Sequence, residues 1–158
     1  LSTRERPEFR EEVISLGISQ ISAGSCTGVG GYYEEIANKE KKANVQFQVE
    51  DHRTPNEVLL SLCERGYLPS YCTACYRRGR TGDRFMELAK SGNIQNFCQP
   101  NAILTFKEFI MDYADPILRE IGEKVIEKSL DDIPNRTVRE KTMEKLKRIE
   151  KGERDLFF

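Results

Sequence analysis

The sequence predicts an α/β chain: the last strands and helices of a parallel βα sheet over residues 1–66, followed by a mainly α-helical region over residues 67–158. Three observations carry this expectation. Strand-like and helix-like segments alternate as far as Gly66, helical periods with capping signals take over beyond it, and Cys72, Cys75 and Cys98 appear in the second region at a metal-binding spacing.

Leu1-Ser2-Thr3 reads as the end of a strand. A helix follows from Pro7, because Phe9, Val13, Ile14 and Leu16 recur at helical spacing and Gly17 is a left-handed stop. The run Ile18 to Ala23 is rich in β-formers, and Val45 to Val49 alternates with period two, so both read as strands. Between them lies the glycine-rich Ser25-Cys26-Thr27-Gly28-Val29-Gly30-Gly31. After the second run, Thr54-Pro55-Asn56-Glu57 combines an N-cap threonine, proline at the first helical position and glutamate three residues after the cap. This helix ends before Gly66. Two and a half strands neither close a sheet nor cover its edge, so the remainder is expected before Leu1.

Beyond Gly66 a loop gives way to helices. Thr105-Phe106-Lys107-Glu108 reads as a capping box opening a helix with Phe106, Phe109, Ile110 and Tyr113 on one side. Asp115-Pro116 opens the next, carrying Leu118, Ile121 and Val125. A break at Pro134 leads into a charged helix from about Asn135 to Lys151, stopped by Gly152, with Val138, Leu146 and Ile149 as its apolar stripe. The apolar Leu156-Phe157-Phe158 is expected to dock on a neighbour.

At 158 residues the chain is one domain or part of a larger protein. Its net charge of −1 removes the basic excess of a dedicated nucleic-acid binder. No run approaches the roughly 18 apolar residues of a membrane span. Five cysteines are too few and too odd in number for a disulfide framework, so a reducing cytoplasm is expected, with thiols free to bind metal.

Cys72-Thr73-Ala74-Cys75 followed by Cys98 is the strongest chemical signal. A two-residue gap lets neighbouring thiolates converge on one centre, and a third joins when the chain loops back. A cubane iron–sulfur cluster held by three cysteines keeps one iron open. A structural zinc site would instead need a fourth ligand, from His52 or Cys63. Cys63 lies with Val58, Leu59 and Leu62 on an apolar face and reads as a core residue. Arg4, Ser22, Gly24, Ser25, Glu50, Asp51, His52 and Arg53 fall at strand carboxy-terminal ends, the working face of parallel α/β folds. For Arg4, Asp51 and Arg53 a set of ion pairs is the competing reading. The run Tyr76-Arg77-Arg78-Gly79-Arg80 balances an anionic cluster, or else, with Tyr71, makes a zinc knuckle that grips RNA.

At Leu1-Ser2-Thr3-Arg4-Glu5, Ile21-Ser22-Ala23-Gly24-Ser25 and Gly30-Gly31-Tyr32 the sequence resembles the end of the barrel in the aromatic-amino-acid lyases of the radical S-adenosylmethionine class. With the cysteine trio, Asn101-Ala102 and Arg154-Asp155-Leu156-Phe157, it most resembles the tyrosine lyases that mature FeFe-hydrogenase. The thiazole-synthesis tyrosine lyase is similar in the barrel part but lacks this cysteine set.

The resemblance implies that residues 1–66 end a (β/α)8 barrel and that residues 67–158 form a helical domain with an auxiliary 4Fe–4S cluster. It further implies cleavage of tyrosine to p-cresol and dehydroglycine, and conversion of the fragment to iron-bound carbon monoxide and cyanide. Cys72, Cys75 and Cys98 match the cluster ligands, with an extra iron and free cysteine at the open position. Arg4 and Ser22 are candidates for tyrosine binding, and Gly24 and Ser25 for cofactor binding. S-adenosylmethionine and a second 4Fe–4S cluster belong to the full enzyme, since the radical-generating C-x3-C-x2-C is not in this sequence. The implied partners are the amino-terminal barrel portion and other hydrogenase maturation proteins.

Overall fold

The computed structural model describes residues 1–27 and 47–158. Among the described residues the chain forms seven α-helices: α1 (Pro7–Ile14), α2 (Pro55–Glu64), α3 (Ala74–Arg77), α4 (Gly82–Lys90), α5 (Gln95–Asp112), α6 (Pro116–Asp131) and α7 (Arg136–Glu150). Contacts divide the chain into two units, Leu1–Val58 and Leu59–Phe158.

The strands expected from the sequence are not formed among the described residues. Ile18 to Ala23 and Phe47 to Val49 are irregular, while Val45, Gln46, Gly28 to Gly31 and Tyr32 lie outside the described residues. The reason lies in the hydrogen bonds. The Leu1 nitrogen donates to the Gln20 carbonyl oxygen (2.6 Å) and the Leu1 carbonyl accepts from the Ser22 N–H (2.9 Å), the exchange made between parallel neighbours. On its other side Thr3 accepts from the N–H groups of Glu50 and Asp51, both at 3.0 Å. Each contact stops after one residue, and a strand requires a ladder that repeats.

Helix α1 begins at a proline and its chain turns off at Gly17, whose φ of +101° favours glycine. The residue it buries is Arg10, at 1% exposure, whereas Phe9 and Leu16 of the expected apolar face are 43% and 82% exposed. Arg10 is buried because it pairs with buried Asp51 and donates to the Ser22 carbonyl oxygen. Asp51 also accepts from Arg53 through Nη2 (2.7 Å), Nε (2.9 Å) and the backbone N–H (3.1 Å), and Arg53 reaches Glu11 at 2.9 Å. Burial alone pushes the Asp51 carboxyl up. The Arg53 hydrogen bonds and the charges of Arg10 and Arg53 outweigh it and hold the group at about 2. The ion-pair reading thus holds for Asp51 and Arg53. Arg4 instead lies over the Phe47 ring, 5.0 Å from its centroid.

Helix α2 starts with the reciprocal capping box read from the sequence: Glu57 N–H donates to Thr54 Oγ1 (3.3 Å) and Thr54 N–H to Glu57 Oε2 (2.7 Å).

The core of the second unit is made by Ile103, Leu104, Phe106 and Ile110 of α5, Leu118, Val125 and Ile126 of α6, and Leu146 and Ile149 of α7, with Leu59 and Cys63. Gly122 lets α6 approach α5: a Cβ there would stand 3.2 Å from the Phe106 ring and 3.3 Å from Ile110. Buried Lys107 of α5 bridges Glu123 of α6 (2.5 Å) and Glu150 of α7 (3.1 Å), tying the three helices with one cation. Asp115 and Asn135 cap α6 and α7 as expected, accepting from Leu118 N–H (2.9 Å) and Val138 N–H (3.2 Å).

Two expectations fail here. Helix α5 begins at Gln95, not at Thr105, whose hydroxyl turns back to the carbonyls of Asn101 (2.9 Å) and Ala102 (3.2 Å). The capping signature loses because Ile103 and Leu104, ahead of Thr105, are fully buried and hold the preceding turns in helix. The stretch read as loop also contains α3 and α4, the latter placing Phe85, Leu88 and Ala89 on one side.

Candidate functional site

The cysteine trio is carried by two short pieces of local structure. Cys72 precedes α3, Cys75 lies within it, and Cys98 sits in the first turn of α5. The turn forms because Thr73 and Ala74 carbonyls accept from Arg77 (3.3 Å) and Arg78 (2.9 Å) N–H groups, and the chain is held beyond it by Arg80 N–H to the Cys75 carbonyl (2.8 Å). Cys72 Sγ accepts from the Ala74 N–H at 3.4 Å. All three thiols are free. Burial raises the Cys98 thiol, the charges of Cys75 and Cys72 raise it further, and Arg80 opposes them. The three sulfurs therefore share one electrostatic neighbourhood.

Among the described residues no three His, Cys, Asp or Glu side chains converge closely enough to hold a single metal ion. Tetrahedral zinc with Zn–S of about 2.3 Å needs its thiolates about 3.8 Å apart. A cubane places each thiolate on a different iron, and so accepts three cysteines that are neighbours without converging. In donor type, three thiols, the trio suits such a cluster. The zinc reading with Cys63 as fourth ligand fails: Cys63 is 4% exposed in the core, and burial, with the Glu64 charge, pushes its thiol up to about 12. His52 is exposed in the first unit, where Cys26 is half-buried.

The arginines beside the trio are engaged within the chain. Arg77 makes a two-pronged pair with Asp155 and lies 4.3 Å from the Phe157 ring centroid, and Arg80 donates to the Phe158 carbonyl oxygen at 2.7 Å. Tyr71 stacks on Phe109 with centroids 4.9 Å apart. Arg77, Arg78 and Arg80 are thus engaged by the chain's own tail and Tyr71 by Phe109, while Tyr76 is exposed; nothing supports the RNA-gripping reading. The tail docks as expected, with Phe157 and Phe158 half-buried, Lys145 donating to the Phe157 carbonyl (2.6 Å) and Leu156 N–H donating to Glu108 (3.2 Å). Next to Cys72 this leaves a cavity of ≈ 430 Å³ lined by Tyr71, Thr105, Phe109, Leu156 and Phe157, with the Arg154–Asp112 pair (2.6 Å) on its wall.

In the first unit Arg4 is exposed, as is Ser22, whose backbone is fixed by Leu1 and Arg10. Gly24 has φ of +60°, and a Cβ there would stand 3.1 Å from Pro55 at the start of α2; Ser25 beside it is half-buried. Only glycine combines that backbone with that approach. Sequence reasoning missed Arg10, which holds both the Ser22 carbonyl and Asp51, because a lone arginine in an amphipathic period reads as solvent-facing.

For the first part of the chain a class is given by comparison: residues 1–68 match the Biotin and Thiamin Synthesis associated domain (BATS). Over 69 residues the chain is 42% identical to the 2-iminoacetate synthases of Escherichia coli (strain K12) and Salmonella typhimurium (strain LT2), a match covering 44% of this chain and 17% of each relative. Over its whole length the chain resembles a particular protein, HydG, a maturase of the FeFe-hydrogenase. The crystal structure of HydG is 69% identical with a TM-score of 0.91, and the match covers 100% of this chain and 33% of that one. The resemblance drawn from the residues is borne out. The chain spans 33% of HydG and 17% of the curated relatives. No helix among the described residues is long and apolar enough to cross a membrane.

Proposed function

We propose that this chain is the carboxy-terminal part of a radical S-adenosylmethionine lyase that cleaves tyrosine to p-cresol and dehydroglycine. The same enzyme makes iron-bound carbon monoxide and cyanide for assembly of the FeFe-hydrogenase active centre. Residues 1–66 supply the last strands and helices of its (β/α)8 barrel, and residues 67–158 its helical cluster domain. The observation that carries the reading is the trio Cys72, Cys75 and Cys98 in a chain 69% identical to HydG over its whole length.

In this reading Cys72, Cys75 and Cys98 would hold an auxiliary 4Fe–4S cluster, with a possible extra iron and free cysteine, which would supply low-valent, thiol-rich iron chemistry. The chain's own residues do the rest. The α3 turn carries Cys72 and Cys75, both half-buried, and α5 presents Cys98, which is exposed. Arg4, with Ser22, would offer a planar fork for the tyrosine carboxylate, and Gly24 and Ser25 would contribute to holding S-adenosylmethionine. The single-residue parallel exchange of Leu1 with Gln20 and Ser22 supports the barrel part of this reading. Partners are the rest of the barrel and the other hydrogenase maturation proteins.

The test separates the two reactions. In the full-length enzyme, Cys72→Ser with Cys75→Ser is expected to keep p-cresol formation within about tenfold, about 1.4 kcal/mol of barrier. Iron-bound carbon monoxide and cyanide are expected to vanish from the infrared spectrum. Loss of p-cresol with the radical-generating cluster intact would overturn the division.

A further inference from the structure

The closing run Arg154-Asp155-Leu156-Phe157-Phe158 ties together the two elements that carry the cysteine trio, and its alternate residues serve one or the other. On one side Arg154 pairs with Asp112 (2.6 Å), the Leu156 N–H donates to Glu108 (3.2 Å) and the Phe158 N–H donates to Asn101 (2.8 Å). Asp112, Glu108 and Asn101 share one face of α5 by helical spacing, and Asn101 stands three positions after Cys98. On the other side Asp155 makes its two-pronged pair with Arg77, and the Phe157 ring lies 4.3 Å from the Arg77 guanidinium and 5.1 Å from that of Arg78. Arg77 ends α3, two positions after Cys75. Cys72 shares the wall of one cavity with Asp155, Leu156 and Phe157.

Helix α3 is a single turn that buries only Ala74, too short to hold its own place. Ahead of Cys72 it is anchored by Tyr71, whose N–H donates to Thr105 (3.2 Å) and whose ring stacks on Phe109. Past Cys75 the tail makes the tie. The backbone bears a mark of it: among the described residues Asp155 alone, of those that are not glycine, is left-handed, with φ of +65°. Such a backbone persists where surrounding contacts impose it, and here it delivers the carboxylate to Arg77. We propose that residues 154–158 are a strap coupled to cluster binding: docked, it holds the Cys75 turn against α5 and slows loss of the 4Fe–4S cluster from the trio, and the bound cluster in turn holds the strap down. The inference rests on the function proposed above. The Arg77–Asp155 side chains are 44% and 64% exposed, and a pair that open contributes little to overall stability. The effect of the strap therefore belongs to cluster retention.

The experiment uses full-length enzyme whose radical-generating cysteines are changed to alanine, so that one cluster remains, reconstituted anaerobically. Iron release to a chelator is followed, and urea unfolding is measured on the same samples. Asp155→Gly with Phe157→Ala removes both grips on the Arg77 turn, suits the left-handed backbone and leaves the bonds to α5 in place. This double variant should release iron about tenfold or more faster than wild type. Asp115→Ala uncaps α6 away from the strap; it should weaken the fold yet keep iron release within about threefold of wild type. Coupling is reciprocal, so in wild type the loaded cluster should slow amide exchange at Leu156 and Phe158 by about tenfold or more over the iron-free protein. Release at the wild-type rate from the double variant, or equal acceleration in Asp115→Ala, overturns the strap and leaves the proposed function standing. If the double variant does not fold, wild type decides: equal exchange with and without the cluster overturns the inference. Wild-type protein that takes up no iron at the trio overturns the function itself, and this inference with it.

Discussion

Phe158 donates its backbone N–H to Asn101 Oδ1 at 2.8 Å across 57 residues of sequence, and so pins the tail to the second turn of α5, just beyond Cys98. Asn101 is 1% exposed, so water does not substitute for that acceptor. Asn101→Ala should cost about 1–2 kcal/mol. Faster amide exchange should follow at residues 156–158, followed by hydrogen-exchange mass spectrometry; unchanged exchange there would show that Lys145 and Glu108 hold the tail alone.

The buried pair of Arg10 and Asp51 makes a pH-dependent contribution. A carboxyl lowered in the folded state from 3.8 to about 2 stabilises the fold above the higher value and loses that stability as pH falls through the lower. Asp51→Asn should cost about 3–5 kcal/mol near neutrality, because it strands Arg10. In urea titrations at a series of pH values, wild type should lose about 2 kcal/mol of its advantage between about pH 4 and pH 2. An advantage independent of pH would assign the cost of the substitution to packing.

Gly122 sets the spacing of α5 and α6. Alanine there gains up to about 1 kcal/mol of helix propensity. Its methyl meets the Phe106 ring at 3.2 Å, and Phe106 is fully buried and has nowhere to yield. Gly122→Ala should therefore destabilise by about 1–2 kcal/mol net. Thermal or urea unfolding checks the sign, and a stabilised variant would show that the ring moves aside.

Cys63 should behave as a core residue. Burial places its thiol at about 12, so iodoacetamide at pH 8 should leave it unmodified in the native protein and alkylate it in urea. Cys63→Ser should cost about 1–3 kcal/mol for burying a hydroxyl. Native-state alkylation read by peptide mass mapping would contradict the core assignment.

Local chemistry alone determined much of this protein. Thr54 with Glu57, Asp115 with Pro116, and Asn135 after Pro134 set helix starts through bonds made within four residues, and Gly17 and Gly152 set ends, so sequence reads them directly. The spacing of Cys72 and Cys75 is local too. Other features depend on groups distant in sequence. Thr105 carries a capping signature yet sits inside α5, because burial of Ile103 and Leu104 outweighs it. Arg10 is buried because Asp51, 41 positions away, neutralises it. The run of alike arginines at 77, 78 and 80 was separated only when the tail folded back, giving Arg77 to Asp155 and buried Arg80 to the Phe158 backbone oxygen. A capping bond is written in a few adjacent residues, whereas the burial of a charge is decided by which partner the fold brings to it, and that only the tertiary structure supplies.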